Sequence, residues 1–186
     1  MRSLKTVNRI IQKGSFIYSG ILDFINFTPL YTMQPDQLIL KRTNNSNPDF
    51  KYLVTHLDAL LTQVNGDEDA FFAPKNVLDP INTAIVAYYN GKPVGCGCFK
   101  KFNENSVEIK RMYVDPEVRG KGIASAVLSE LENWAKEIGF TTMVLESASK
   151  LTNAHALYYK KGYQRIPNFG NYAGIESCLC MKKELS

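Results

Sequence analysis

A β-prone run that passes through a glycine-rich turn straight into an amphipathic helix limits this chain more than any other feature. The run is Val107 to Ala124, VEIKRMYVDPEVRGKGIA. Val107 to Val114 is rich in strand formers, and Asp115 and Pro116 end a ladder behind it. Arg119, Gly120, Lys121 and Gly122 follow directly, and then Ile123, Val127, Leu131, Trp134 and Ile138 recur at helical spacing. The first N–H groups of a helix have no partner within it, and the helix dipole adds positive potential behind them. Gly120 and Gly122 let an anion approach the backbone with no Cβ in the way, while Arg119 and Lys121 add charge. The order strand, glycine turn, helix therefore predicts a phosphate held at a helix N-terminus.

Three phosphate motifs compete for this segment. A P-loop needs Gly, four residues and then Gly-Lys-Ser/Thr, which no stretch of the chain supplies. The dinucleotide fingerprint needs a third glycine where Ser125 stands. The third pattern, Gln/Arg-x-x-Gly-x-Gly/Ala, is matched in full by residues 119–124, RGKGIA. Behind it, Thr141 to Glu146 reads as a buried strand, and NAHALYYKKGY from Asn153 to Tyr163 fits Ala-x-x-Leu-Tyr-x-x-x-Gly-Phe/Tyr. These segments together resemble the GNAT acetyltransferase superfamily, over roughly Gln37 to Leu185. EIKRMYV and the tail IPNFGNYAG…CMKKEL are similar to a small bacterial branch of that superfamily with no settled acceptor. The resemblance implies an α/β (α+β) fold, a mixed and mostly antiparallel sheet with helices on both faces.

Length and composition are compatible with that expectation. One domain is the default for 186 residues, and 45% hydrophobic with 22% charged residues is ordinary for a globular chain. A net charge of +4 without a long Lys/Arg block suits an anionic co-substrate and gives no reason to expect nucleic acid or a membrane as partner. The four cysteines form two C-x-C pairs, Cys96/Cys98 and Cys178/Cys180. Both pairs lie in strand-like runs with no neighbouring His, so buried free thiols in a reducing cytoplasm are expected rather than a metal site.

Residues 1–33 stand apart as an extension of uncertain order, with residues 34–186 as the acetyltransferase domain. Met1 to Thr32 holds four basic residues and one acid, Asp23, and its apolar stretches are broken. That makes it a loose extension, a targeting-like segment, or sequence ahead of a true start at Met33. Gln37 to Arg42 alternates like a first strand. Asn47-Pro48 reads as an N-cap with Pro at N1, followed by a helical stripe of Phe50, Leu53, Val54, Leu57, Leu60 and Leu61. The acidic run Asp67-Glu68-Asp69 is expected to be a solvated face, although in the superfamily this region borders the acceptor site. Thr83 to Tyr89 and Pro93 to Phe102 flank Asn90-Gly91 as a hairpin. Strand, helix, strand and strand fill the last third.

Amide formation from a thioester requires a bound acyl carrier, removal of a proton from the amine, and a donor for the departing sulfur. The resemblance assigns the carrier, acetyl-CoA, to Arg119, Gly120, Lys121, Gly122, Ile123, Ala124 and Ser125, and to backbone around Met112, Tyr113 and Val114. It makes Glu108 the candidate base, by its separation from the glycine loop. The competing reading of Glu108 is an ion pair with Lys110 on the same strand face, which a β-bulge between them would break. The resemblance also makes Tyr158, four residues before Gly162, the candidate general acid, with a core aromatic as the alternative and Tyr159 as a decoy. Leu151 stands where many members carry an Asn that contacts the carrier, which puts Asn153 in doubt for that role. His155 reads as a packing residue, and Tyr172 as either bordering the acceptor or part of a turn.

The leading expectation is N-acetylation of a small-molecule or peptide amine by direct attack in a ternary complex, with no metal and with a homodimer compatible with the superfamily. A catalytically silent CoA-binding module is the competing class, and nucleic-acid binding a third.

Overall fold

In a computed structural model of the protein, residues 9–11, 37–73 and 79–186 are described. The expectations for most of residues 1–33 lie outside this set. The strands are β1 (Arg9–Ile11), β2 (Leu38–Thr43), β3 (Ala84–Tyr89), β4 (Lys92–Lys101), β5 (Ser106–Val114), β6 (Thr142–Ala148), β7 (Gln164–Ile166) and β8 (Cys178–Glu184). They form one sheet in the order β1-β2-β3-β4-β5-β6-β8-β7. Every pairing is antiparallel except β5 with β6. Helices α1 (Pro48–Asn65) and α2 (Asp69–Phe72) cover one face, and α3 (Ile123–Glu137) and α4 (Thr152–Lys160) the other.

Local chemistry explains most element boundaries. Asn47 accepts hydrogen bonds from the N–H groups of Asp49 and Phe50, and Pro48 fills the first helical position, where no N–H is needed. Asn90 and Gly91 take φ values of 51° and 79°, the left-handed pair that a tight hairpin between β3 and β4 requires. Asp115 accepts from the N–H of Glu117 and opens a short turn over Pro116–Val118, which ends β5. The apolar stripe of α3 is buried at Ile123, Val127 and Leu131, with Leu128 beside it. Ile138 departs from the expected stripe. It lies one residue past α3, where the chain turns toward Gly139, and it is half exposed.

The main core fills the space between α3, α4 and one sheet face, with Ile85, Phe99, Val107, Ile109, Val127 and Leu131 among its members. Burying each such side chain contributes about 1.5–3 kcal/mol. A second cluster joins Phe50 and Leu53 of α1 to Ala84, Val86, Cys96 and Cys98 on the opposite face. The C-x-C spacing does place each cysteine pair on one face, and the two pairs sit on β4 and β8, with β5 and β6 between them. All four thiols are free and buried.

Of the described glycines, Gly97 on β4 has the least room, with β5 and α3 close against it. A Cβ on Gly97 would stand 2.5 Å from Met112 Sδ, 3.0 Å from Leu131 Cδ1 and 3.1 Å from Val127 Cγ1. Gly97→Ala is therefore expected to lower stability by about 1–3 kcal/mol. Denaturant unfolding checks this, and an unchanged midpoint would show that Met112 and α3 yield freely.

Candidate active site

The parallel ladder between β5 and β6 runs from Ser106 opposite Thr142 to Ile109 opposite Leu145 and then stops. Both strands continue beyond it, β5 to Val114 and β6 to Ala148. The cause lies on the other edge of β5. There Gly97 alone stands against two residues, Arg111 and Met112, because Cys96 pairs with Tyr113 and Cys98 with Lys110. Arg111 takes the extra residue in left-handed conformation, at φ 60°. A bulge of this kind bends its strand and increases its twist. The end of β5 turns away from β6, and among the described residues its backbone beyond Ile109 has no ladder partner on that side.

Two cavities open along this split. The larger, about 500 Å³, runs from Met112, Tyr113 and Val114 past the glycine turn to α4. All of residues 119–125 line it except Lys121, whose ammonium lies 5.2 Å from the Tyr89 ring centre instead. Gly120 and Gly122 have φ values of 81° and 78°, and a Cβ on either would meet nothing within 4 Å. The glycines are thus demanded by backbone conformation, and the space in front of them is open to a ligand. Gly122 caps α3 with no side chain, so the first-turn N–H groups have no side-chain partner at the cap. Arg119, Lys150 and Lys160 add positive charge along the walls. Arg119 is held in place by donating from Nε to the Val114 carbonyl at 3.1 Å, and Lys150 donates to the Val64 carbonyl at 2.9 Å.

The smaller cavity, about 110 Å³, lies on the inner side of the split and shares Leu57, Met112, Leu151, Ala154 and Tyr158 with the groove. Tyr158 thus stands where the two spaces meet, and it is buried. Burial, with the Glu146 carboxylate as a smaller cause, raises its pKa above that of an ordinary phenol, so the hydroxyl keeps its proton at neutral pH. Among the described residues no hydrogen bond to that hydroxyl occurs. Tyr159, its neighbour, is exposed.

Glu108 sits differently from the sequence expectation about its strand. The bulge falls at Arg111, beyond Lys110, so it does not separate Glu108 from Lys110. The two share a face in regular register, with Lys110 Nζ 2.7 Å from Glu108 Oε1 and Lys100 Nζ 3.4 Å from Oε2. Glu108 is buried and lines neither cavity, whereas Lys110 does line the smaller one. Tyr172 supports Lys110 from behind, its hydroxyl accepting from Nζ at 3.2 Å, and does not itself reach the cavity wall.

Sequence reasoning missed Glu146, Arg111 and Asn65, which line the smaller cavity with Lys110. The register beyond the end of the β5–β6 ladder and the end of α1 bring them together, and no local pattern signals it. The acidic run is largely solvated as expected, except that Asp69 accepts from Thr62 and Asn65 at the end of α1. Leu151 lines both cavities, and Asn153 lines the groove although exposed.

Residues 48–163 match the model of the acetyltransferase (GNAT) family. The chain is 34% identical over 102 residues to an IAA acetyltransferase of Azospirillum brasilense, covering 54% of this chain and 67% of that one. It is 29% identical over 124 residues to an N-acetylaspartate synthetase of Danio rerio, covering 66% of this chain but 42% of that protein. A solved structure of a Klebsiella pneumoniae protein assigned as an acyl-CoA N-acyltransferase superposes with a TM-score of 0.63 at 28% identity, over 81% of this chain and 98% of that one.

His155 packs against β6 with Nε2 3.2 Å from Ser147 Oγ, and burial lowers its pKa below the ordinary 6.5. As pH falls the unfolded chain takes up this proton first. The stability carried by the neutral ring is complete above about pH 6.5 and is lost as pH falls through the depressed folded value. The melting temperature of the protein should therefore drop more steeply between about pH 7 and 5 than that of His155→Gln. Parallel slopes would contradict the assignment.

Proposed function

Because the chain belongs to the GNAT acetyltransferase family, and is an acetyltransferase by that membership, we propose that it transfers the acetyl group of acetyl-CoA to a primary amine by direct attack. The observation that carries this reading is the position of Tyr158 where the groove before the glycine turn meets a smaller pocket lined in part by Lys110, Arg111 and Glu146. The groove fits the carrier on three counts. It has open space before two left-handed glycines, a helix start with no side-chain cap, and a β5 edge without a strand partner among the described residues. Residues 119–125 other than Lys121 would hold the phosphates, and the backbone from Met112 to Val114 the extended arm. Bound acetyl-CoA supplies the thioester whose carbon accepts the amine and whose sulfur departs.

The chain's own groups do the rest. The amine nitrogen forms the new C–N bond and gives up a proton, and the sulfur gains one as the C–S bond breaks. Tyr158 keeps its proton because it is buried, and a thiol titrates near 8.5, well below it, so the phenol acts chiefly by donating a hydrogen bond to the developing negative charge on sulfur. Two carboxylates compete for the proton of the amine. Glu146 lines the pocket that Tyr158 also lines. Glu108 reaches the same pocket only past Lys110. Geometry ranks Glu146 first, since a base must lie within hydrogen-bond distance or one water of its proton. The four free thiols suit a reducing cytoplasm.

Tyr158→Phe is expected to lower kcat by about 10²–10⁴-fold with acetyl-CoA affinity unchanged, read by thiol release and calorimetry. Glu146→Gln should lose a comparable factor and Glu108→Gln less. Full turnover in Tyr158→Phe would remove the tyrosine from the mechanism. A larger loss in Glu108→Gln than in Glu146→Gln would return the proton to Glu108.

A further inference from the structure

Helix α4 lines the groove with two rows of side chains. Leu151, Ala154 and Tyr158 line both cavities, while Asn153, Leu157 and Lys160 belong to the groove. Spacings of four and three residues put the second row on one helix face. Lys160 ends that row in the last turn of α4, and it is exposed. The other two cations of the groove are engaged with backbone, Arg119 through Nε with the Val114 carbonyl and Lys150 with the Val64 carbonyl. Among the described residues the Lys160 ammonium makes no hydrogen bond or ion pair.

The groove is also one-signed. Among the described residues no Asp or Glu lines it, whereas the smaller cavity has Glu146 on its wall. A cleft lined by one sign of charge concentrates ligands of the other. The glycine turn and the first turn of α3 already offer backbone donors, with Arg119 beside them, to one phosphate group. Lys160 stands on a different element. A basic residue in a last turn also suits the helix dipole. That role gives no reason for Lys160 to lie on the row that lines the groove.

Resting on the acetyltransferase reading above, we infer that Lys160 receives the 3′-phosphate of the carrier, so that the donor is a free CoA thioester and not the phosphopantetheine arm of a carrier protein. The start of α3 takes the pyrophosphate, and α4 takes the second anionic group of the same ligand. A phosphate monoester carries about −1.5 to −2 charges at neutral pH. An ammonium meets it as a point charge with three donors on a flexible stem. Dephospho-CoA keeps the pyrophosphate and adenosine but lacks this group. The arm of a carrier protein lacks the adenosine as well. No bond forms or breaks at this end of the carrier, so the contact serves affinity and leaves the chemical step alone.

Calorimetric titration of the full chain with CoA, dephospho-CoA and phosphopantetheine tests this without an acceptor. CoA should bind about tenfold or more tightly than dephospho-CoA, as expected for one charge-assisted contact. Lys160→Met should remove most of that preference by weakening CoA and leaving dephospho-CoA unchanged. Lys160→Arg should keep most of it. Lys101→Met makes the same change in net charge at an exposed site opposite Val107, at the end of β5 away from the groove, and should keep all of it. The preference should shrink as salt rises. Equal binding of CoA and dephospho-CoA by the wild type overturns the inference. So does a folded Lys160→Met with the full preference, or phosphopantetheine binding as tightly as CoA. Failure to bind any of the three would instead overturn the acetyltransferase reading on which it rests.

Discussion

One extra residue in β5 organises the site. Gly97 faces Arg111 and Met112 together, and the left-handed turn at Arg111 absorbs the surplus. The ladder to β6 ends at Ile109 as a result, and the space that opens becomes both the groove and the pocket. Close packing keeps the arrangement in place. Gly97 has no room for a methyl group beneath Met112, Leu131 and Val127, so the bulge is seated on α3 and cannot relax by moving toward it. Backbone strain at Arg111 is thus balanced by core burial a few ångströms away.

The rest of the site uses the consequences of that split. Its mouth is the N-terminus of α3, where two left-handed glycines expose backbone donors to open space and basic side chains raise the potential. Its narrow end is Tyr158, a phenol that burial keeps protonated, between the groove and a cavity of opposed charges. A groove opening on two left-handed glycines, a phenol that keeps its proton and a pocket with an acidic residue on its wall are separate devices. The parting of β5 from β6 makes them meet.

Much of the fold is legible in the sequence because its signals are local. Asn47-Pro48, Asn90-Gly91, Asp115-Pro116 and the stripe from Ile123 to Leu131 each carry their own stereochemical reason, and each stands where it was expected. The glycine turn is legible for the same cause. Ile138 was not, since a helical period cannot show that the chain leaves the helix one residue earlier. The candidate site is legible only in part. The turn follows from spacing and Tyr158 was singled out through the family resemblance, but the bulge's register depends on what lies opposite, and it fell past Lys110 rather than between Lys110 and Glu108. Glu146, Arg111 and Asn65 come from three elements far apart in the chain and meet only in the assembled sheet.

The most direct test of this account is calorimetric titration of the full chain with acetyl-CoA, in the wild type and in Gly122→Val. The account predicts binding on the order of micromolar for the wild type and at least about tenfold weaker binding for the variant, with the fold retained by circular dichroism. A folded wild type that does not bind, or a variant that binds equally well, would contradict the claim that the start of α3 holds the acyl carrier.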